Sequence, residues 1–307
     1  MIKLGLIGVG RWGTNIQRTL ESFSECIVQT ATKDYLKLID ENLDGILIAT
    51  PGSTHFEIAK PFIAKGLAVF IEKPLTTSYA DAKKIEQLAH ESGSIITVGH
   101  IHLYNPAYLK TKELAQQSGQ LRFLYFEGMN NGPYRDDMSA LWDWAPHDIA
   151  MALDLIGEMP RHVQAWGINS LRPKKDLHDL ATLKLTFANN ITALSTVSWL
   201  MPEKRKKLTI VAEKNSIIFD DTAQKKVIFY ENMGPAVSND TVTHQEPQVS
   251  YPEYSVDSPL KLELEVFLET IKSKEISLTA LSQGIQVVKI IEAAHKSIEL
   301  DGMMVGC

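Results

Sequence analysis

Five short apolar runs mark the first hundred residues: IKLGLI, ECIVQTAT, DGILIAT, LAVFIE and SIITVGH. None alternates strictly between apolar and polar positions, and each is too brief for a buried helix. Such runs are strands covered on both faces, a situation that arises when helices cross over between parallel strands. Helical stretches such as GTNIQRTLESF lie between them. The chain therefore begins as a doubly wound α/β domain.

Polar or glycine-rich segments close these runs, as in ATPGSTH, EKPLTTS and GHIHLYN. Ligands of open parallel sheets bind beyond the carboxyl ends of the strands, so these segments locate a site before any motif is considered. After about residue 120 the strands lengthen and follow one another directly, as in LRFLYFEGM and DLATLKLTFANNITALSTVSWL. Asn189-Asn190 reads as a hairpin turn, and this half is expected to hold an antiparallel or mixed sheet. Two helices finish the chain, the first with Leu260, Leu264, Phe267 and Ile271 on one stripe. The fold class expected is α/β, with a Rossmann domain over 1–120 and an α+β domain with an open mixed sheet over 121–307, a length that exceeds one comfortable core. Residues 232–255 read as a long loop, and Pro61 should kink or split the helix around it.

A formal charge of −6 gives no electrostatic ground for nucleic-acid binding. The single basic run, Lys204 to Lys207, reads as a solvated hairpin end. Two distant cysteines offer neither a disulfide framework nor a zinc site, in keeping with a reducing cytoplasm. The pair His100 and His102 lacks further ligands, so no metal is expected. No apolar run is long enough to span a membrane, and no signal-peptide layout is seen.

Gly8-Val9-Gly10-Arg11-Trp12-Gly13 is a GxGxxG between a strand and a helix. The first glycine permits the tight turn, the second lets backbone approach a pyrophosphate, and the third allows close packing, with the helix N-terminus facing the phosphates. The acid that usually follows about 20 residues on, to bond the adenosine ribose, is missing from the end of CIVQTAT. Asp34 stands at the right distance but reads as a cap of the next short helix. Thr32 and Lys33 could instead meet a 2′-phosphate, so NAD and NADP both remain open.

Together GVGRWG, ILIATPGSTHFEIAKPFIAKGLAVFIEKPLTTS, VGHIHLYNPAYLKTKEL, LWDWAPHDIAMALDLIG and PLKLELEVFLETIK resemble the glucose-fructose oxidoreductase and inositol dehydrogenase (Gfo/Idh/MocA) family, in the family's order. The resemblance implies NAD(P)-dependent chemistry on a sugar, inositol or nucleotide sugar by a homo-oligomer, dimer or tetramer. It implies that Thr50, Pro51 and His55 line the cofactor cleft, that Glu72 and Lys73 lie near the nicotinamide, and that Asp143 and His147 complete the catalytic group. A cis bond before Pro74 is also implied. The stretch after the second strand departs from the family, being too short for the usual wall beside the adenosine.

Hydride removal from an alcohol needs a base for the hydroxyl proton. Lys73 is the expected base, its reference pKa of about 10.4 lowered by burial and by the nicotinamide cation. Pro146 reads as the first residue of a helix ended by Gly157, with Ile149, Leu153 and Ile156 on its buried stripe. On that reading His147 sits in the first turn, where the helix dipole favours neutral imidazole, and Asp143 lies just outside to orient it. Asp148 reads as a first-turn acid complementing the dipole. Tyr104, Asn105 and Arg135 are candidate substrate contacts. Two other readings are a hydrolytic or eliminating enzyme that returns the hydride in each cycle, and a ligand-binding protein without catalysis.

Overall fold

A computed structural model describes residues 1–173, 177–232, 236–238, 241–243, 246–274 and 278–307. The chain forms two compact units, Met1–Tyr104 with Asp257–Glu292 and Asn105–Val256 with Ala293–Cys307. Among the described residues no helix is long and apolar enough to cross a membrane.

In the first unit β1 (Ile2–Ile7), β2 (Cys26–Ala31), β3 (Gly45–Ile48), β4 (Ala68–Glu72) and β5 (Ile96–Gly99) form a parallel sheet in the order β2-β1-β3-β4-β5. Every residue of β3, β4 and β5 is buried, which explains why these strands are apolar apart from Thr97 and Glu72. Helices α1 (Arg11–Glu21), α2 (His55–Ala64) and α3 (Tyr79–Ser92) make the crossovers. Between β2 and β3 there is only a 3-10 turn, Tyr35–Ile39. The strand order 3-2-1-4-5-6 of a full dinucleotide-binding fold carries one more strand outside the second. Here β2 is the edge, and its burial is correspondingly patchy. Pro61 lies within α2, which remains one helix and is not split. Its missing N–H removes only the bond back to Glu57, and Ile58, Phe62 and Ile63 stay buried on both sides of it.

The second unit opens with α4 (Pro106–Gln117), β6 (Leu121–Asn131) and α5 (Ala140–Ile156). It continues through β7 (His162–Ile168), β8 (Leu180–Thr186), β9 (Thr192–Ser198), β10 (Leu200–Ala212), β11 (Ser216–Asp220) and β12 (Val227–Glu231). The short strands β13 (Ala236–Ser238), β14 (Thr241–Thr243) and β15 (Gln248–Ser250) follow. With β16 (Val305–Gly306) at the far edge, the main sheet runs β15-β12-β11-β10-β6-β9-β8-β7-β16. Among its described pairings only β6 and β9 are parallel. Alternate residues of β8 and β9 are buried, Ala181, Leu183 and Leu185 with Ala193 and Val197. A half-covered sheet requires that period of two.

The hairpin expected at Asn189-Asn190 joins β8 to β9, with Asn190 at a left-handed φ of 62° that asparagine tolerates. Two expectations change. The loop over 232–255 contains β13, β14 and β15, although its residues 233–235, 239–240 and 244–245 lie outside the described ones. Lys204 to Lys207 fall inside β10 and are not a hairpin end; there Arg205 pairs with Glu127 at 2.8 Å and Lys206 stands over the Trp144 ring.

The chain then returns to the first unit. Helix α6 (Pro259–Ser273) packs Leu260, Leu264, Phe267 and Leu268 against Leu4, Leu6, Leu47 and Phe70. Phe70 and Phe267 meet edge-on with centroids 5.7 Å apart. Each such side chain contributes roughly 1.5–3 kcal/mol by leaving water, which anchors α6 to the parallel sheet. Helix α7 (Leu278–Glu299) completes the chain's helices.

Candidate functional site

Sterics at the GxGxxG turn show why each glycine stands where it does. Gly8 has φ of 94°, and a Cβ there would lie 2.7 Å from the Ala49 carbonyl oxygen. A Cβ on Gly13 would come within 1.9 Å of the Gly8 carbonyl oxygen, so only glycine lets α1 approach the strand this closely. Gly10 differs: a Cβ there would meet nothing within 4 Å. Gly10 is also the N-cap of α1 and offers no side chain to its first turn, which contains no acid. Val9 is half-buried, Arg11 and Trp12 exposed. An uncapped helix N-terminus beside open space over a glycine is the arrangement that receives a phosphate, and the residues present fit a dinucleotide's pyrophosphate.

At the end of β2, Thr32 and Lys33 are exposed. Asp34 occupies the N-cap position of the 3-10 turn, but its side chain makes no cap bond and pairs with Lys37 at 3.3 Å.

The loops after β3 and β4 are tied to each other. His55 is fully buried, with Nδ1 at 2.8 Å from the Pro74 carbonyl oxygen and Nε2 at 2.9 Å from that of Thr50. Expected to line a cleft, it instead binds the two loops together, because both ring nitrogens are taken by backbone. Thr50 receives the Thr54 hydroxyl at 2.8 Å, and Pro51 is exposed. The Lys73-Pro74 bond is cis, as the resemblance implies. Lys73 is half-buried at the carboxyl end of β4.

Beside it Glu72 is only 7% exposed, and its carboxyl accepts hydrogen bonds from the Trp12 indole and from the Lys73 backbone N–H. Burial pushes Glu72 up to about 7, against the opposing pull of the Trp12 bond, the Lys73 charge and the Lys73 backbone bond. The indole thus links the phosphate turn to the residue next to Lys73. Tyr104 closes the 3-10 turn after β5, and burial together with Glu263 of α6 pushes its phenol up to about 12.

In the second unit, α5 begins at Ala140 after Ser139, six residues before Pro146. The expected start at Pro146 is thus corrected: the proline sits in the second turn, where its missing N–H leaves the helix unbroken. Asp143 accordingly occupies the first turn and His147 follows one turn later on the same face. Asp143 Oδ2 accepts from Trp199 Nε1 at 3.3 Å, and its Oδ1 lies 3.5 Å from Arg135 Nη1. Arg135 also forks onto Asp137 at 3.0 and 2.9 Å. The structure thus brings Asp143, Arg135 and the helix face of His147 together.

Asp148 points away from that face into the sheet and accepts from Ser195 Oγ at 2.7 Å. Burial pushes it up to about 7, so it is a core acid and not a dipole complement. Asn105 is the side-chain cap of α4, accepting from Ala107 N and donating to Asp221 Oδ1, each at 3.0 Å, which leaves its amide committed to structure.

Sequence reasoning missed two participants and placed a third, Trp12, only within the cofactor-binding turn. Trp199 carries no signal at all. Glu263 did carry one, since it falls three residues after Leu260 and four before Phe267, on the buried stripe of α6.

Residues 9–100 match the family model described as an oxidoreductase family with NAD-binding Rossmann fold, and residues 119–218 match the Gfo/Idh/MocA C-terminal domain. The two matches take in more than half of the chain, which belongs to the Gfo/Idh/MocA family. It is 29% identical to the UDP-N-acetylglucosamine 3-dehydrogenase of Acidithiobacillus ferrooxidans over 55% of this chain and 52% of that one. The match thus spans about half the length of that relative. Similarity to the myo-inositol 2-dehydrogenase of Thermotoga maritima is 23% identity over 97% of this chain and 96% of the other. The solved structure of the Acidithiobacillus enzyme superposes with a TM-score of 0.84 at 22% identity, covering 97% of this chain and 98% of that one, a likeness of fold.

Proposed function

We propose that this protein is an NAD(P)-dependent oxidoreductase that moves a hydride between nicotinamide and a secondary alcohol or ketone of a sugar, inositol or nucleotide sugar. The observation that carries the reading is the Trp12 to Glu72 hydrogen bond, which sets Lys73 one residue from a side chain anchored on the phosphate-binding turn. When bound, the nicotinamide supplies the hydride acceptor.

The chain's own residues do the rest. Gly8, Gly10 and Gly13 shape the turn that holds the pyrophosphate, while Thr32 and Lys33, just after β2, would meet the 2′-phosphate if the cofactor is NADP. Lys73 takes the proton of the substrate hydroxyl at its Nζ, and gives it back in the reverse direction. Asp143 and His147 serve as substrate-orienting and proton-relay groups, with Arg135 steadying Asp143. Tyr104 completes the proposed substrate contacts, while Asn105 serves as the cap of α4. The named relatives favour sugar-type substrates, since they act on UDP-N-acetylglucosamine and myo-inositol.

Calorimetric titration with NADH and NADPH, followed by a screen of sugars, inositols and nucleotide sugars at the nicotinamide absorbance, tests the reading. Binding of one nucleotide and net reduction with one substrate class are expected. Failure to bind either nucleotide would leave a ligand-binding protein. Bound nucleotide with product formed but no net absorbance change would indicate internal hydride return. We further propose a cytoplasmic homo-oligomer; Trp166 and Ile168, exposed on β7, support the oligomer, which light scattering checks.

A further inference from the structure

The first unit buries two carboxyls, Glu72 and Glu263, with opposite surroundings. Glu72 has donors: the Trp12 indole on one oxygen and the Lys73 N–H at 3.3 Å on the other. It also rests against Gly99, where a Cβ would stand 3.1 Å from its carboxyl atoms. Glu263 of α6 is fully buried, and among the described residues neither of its oxygens has a hydrogen-bond partner. Its helix neighbours Leu260, Leu264 and Phe267 are core residues. An ionised carboxylate so placed would lose its water and gain nothing in return, which costs far more than taking up a proton.

After β5, His100 is 3% exposed with both ring nitrogens unpartnered; burial, then Lys73 and His102, lower it to about 4, so it is neutral near neutral pH. Tyr104 is a neutral phenol at the same pH. Burial, and then the charge of Glu72, hold Glu263 well above the ordinary carboxylate range. Lys73 adjoins Glu72 in the chain, and its charge lowers both Glu72 and His100.

We propose that Trp12 and Glu263 are positioning residues for Lys73 that act through Glu72: the indole fixes the Glu72 carboxylate beside the Lys73 backbone, while Glu263, neutral, leaves the pair a single charge. The proposal rests on the reading of Lys73 as acid/base. Its consequence is that the phosphate-binding turn and the lysine communicate through one carboxylate whose charge is set locally.

The test follows carboxyl C=O bands by infrared difference spectroscopy across a pH titration of the full-length protein, Trp12→Phe, Glu263→Gln and Glu72→Gln. The pH profile of kcat/KM is recorded on the same proteins. One band titrating near neutrality, absent from Glu72→Gln, and a second persisting to alkaline pH, absent from Glu263→Gln, are expected. Trp12→Phe moves the first band's midpoint, and the acid limb of the profile with it, to higher pH by about tenfold in proton affinity, because a donor to the carboxylate is lost. Glu263→Gln leaves that midpoint in place.

A missing persistent band, or a midpoint that falls in Glu263→Gln, means that Glu263 carries charge and overturns the proposal. So does an unmoved midpoint in Trp12→Phe. Should Trp12→Phe not fold, the two isosteric Gln variants still decide the charge assignment. If the bands behave as stated but the profile has no neutral limb, Lys73→Ala separates the failures: an inactive variant sinks the positioning role, an active one the reading of Lys73.

Discussion

Asp143 and Arg135 stand 3.5 Å apart, and the Trp199 indole bonds the other carboxylate oxygen of Asp143 at 3.3 Å. An acid held from two sides on the first turn of α5 keeps one orientation, and this is what a group that directs a substrate hydroxyl requires. Asp143→Asn retains the shape and loses the charge. Turnover is expected to fall roughly 10²–10³-fold, with nucleotide affinity within a few-fold of the parent, measured by steady-state kinetics and calorimetry. Wild-type turnover in the variant would remove Asp143 from the proposed chemistry.

Lys73→Ala deletes the proposed proton acceptor. A loss of roughly 10²–10⁴-fold in kcat is expected, with NAD(H) or NADP(H) still bound. Arg135→Lys, which keeps charge but not the fork onto Asp137, should raise KM more than it lowers kcat.

The glycines of the turn separate folding from binding. Gly13→Ala forces a Cβ onto the Gly8 carbonyl and is expected to lower the melting temperature sharply. Gly10→Ala meets nothing in the protein, so it should melt like the parent yet bind nucleotide at least tenfold more weakly, the methyl occupying the phosphate's place. Equal nucleotide affinity in Gly10→Ala would argue that the turn holds no phosphate.

Asp148 gives a stability prediction with a definite sign. Because its folded value is raised to about 7, the folded protein keeps a proton that the unfolded chain has already released above the ordinary Asp range. Stability therefore falls as pH rises through that window and levels off above about 7. Asp148→Asn does not titrate and can still accept from Ser195. Denaturant unfolding should show it more stable than the parent at alkaline pH by on the order of a few kcal/mol, with the gap closing in acid. A gap that widened in acid would contradict the burial argument.

Much of this was legible in the chain. The five apolar runs announced parallel strands because a strand covered on both faces has no reason to alternate, and β3, β4 and β5 are indeed buried at every position. Gly157 ended α5 where a left-handed residue was needed, at φ of 79°. The start of α5 was hidden because Pro146 is good at a first turn and tolerable in a second, and local preference cannot tell the two apart. His55 misled for a different reason. A histidine after a ligand-facing loop reads as a ligand contact, and only the fold reveals that its nitrogens meet the Thr50 and Pro74 carbonyls. Trp199 was illegible because its partner Asp143 lies 56 residues away along the chain.

The imidazole of His55 stands between the loops after β3 and β4. An imidazole with a single N–H can donate to only one of the two carbonyls it touches, so its grip on each loop depends on the tautomer. The turn after β3 and the turn after β4 are in that sense one mechanical body hinged on a single ring. The carbonyls of Thr50 and Pro74 thus share one side chain, and the second of them belongs to the residue that follows Lys73.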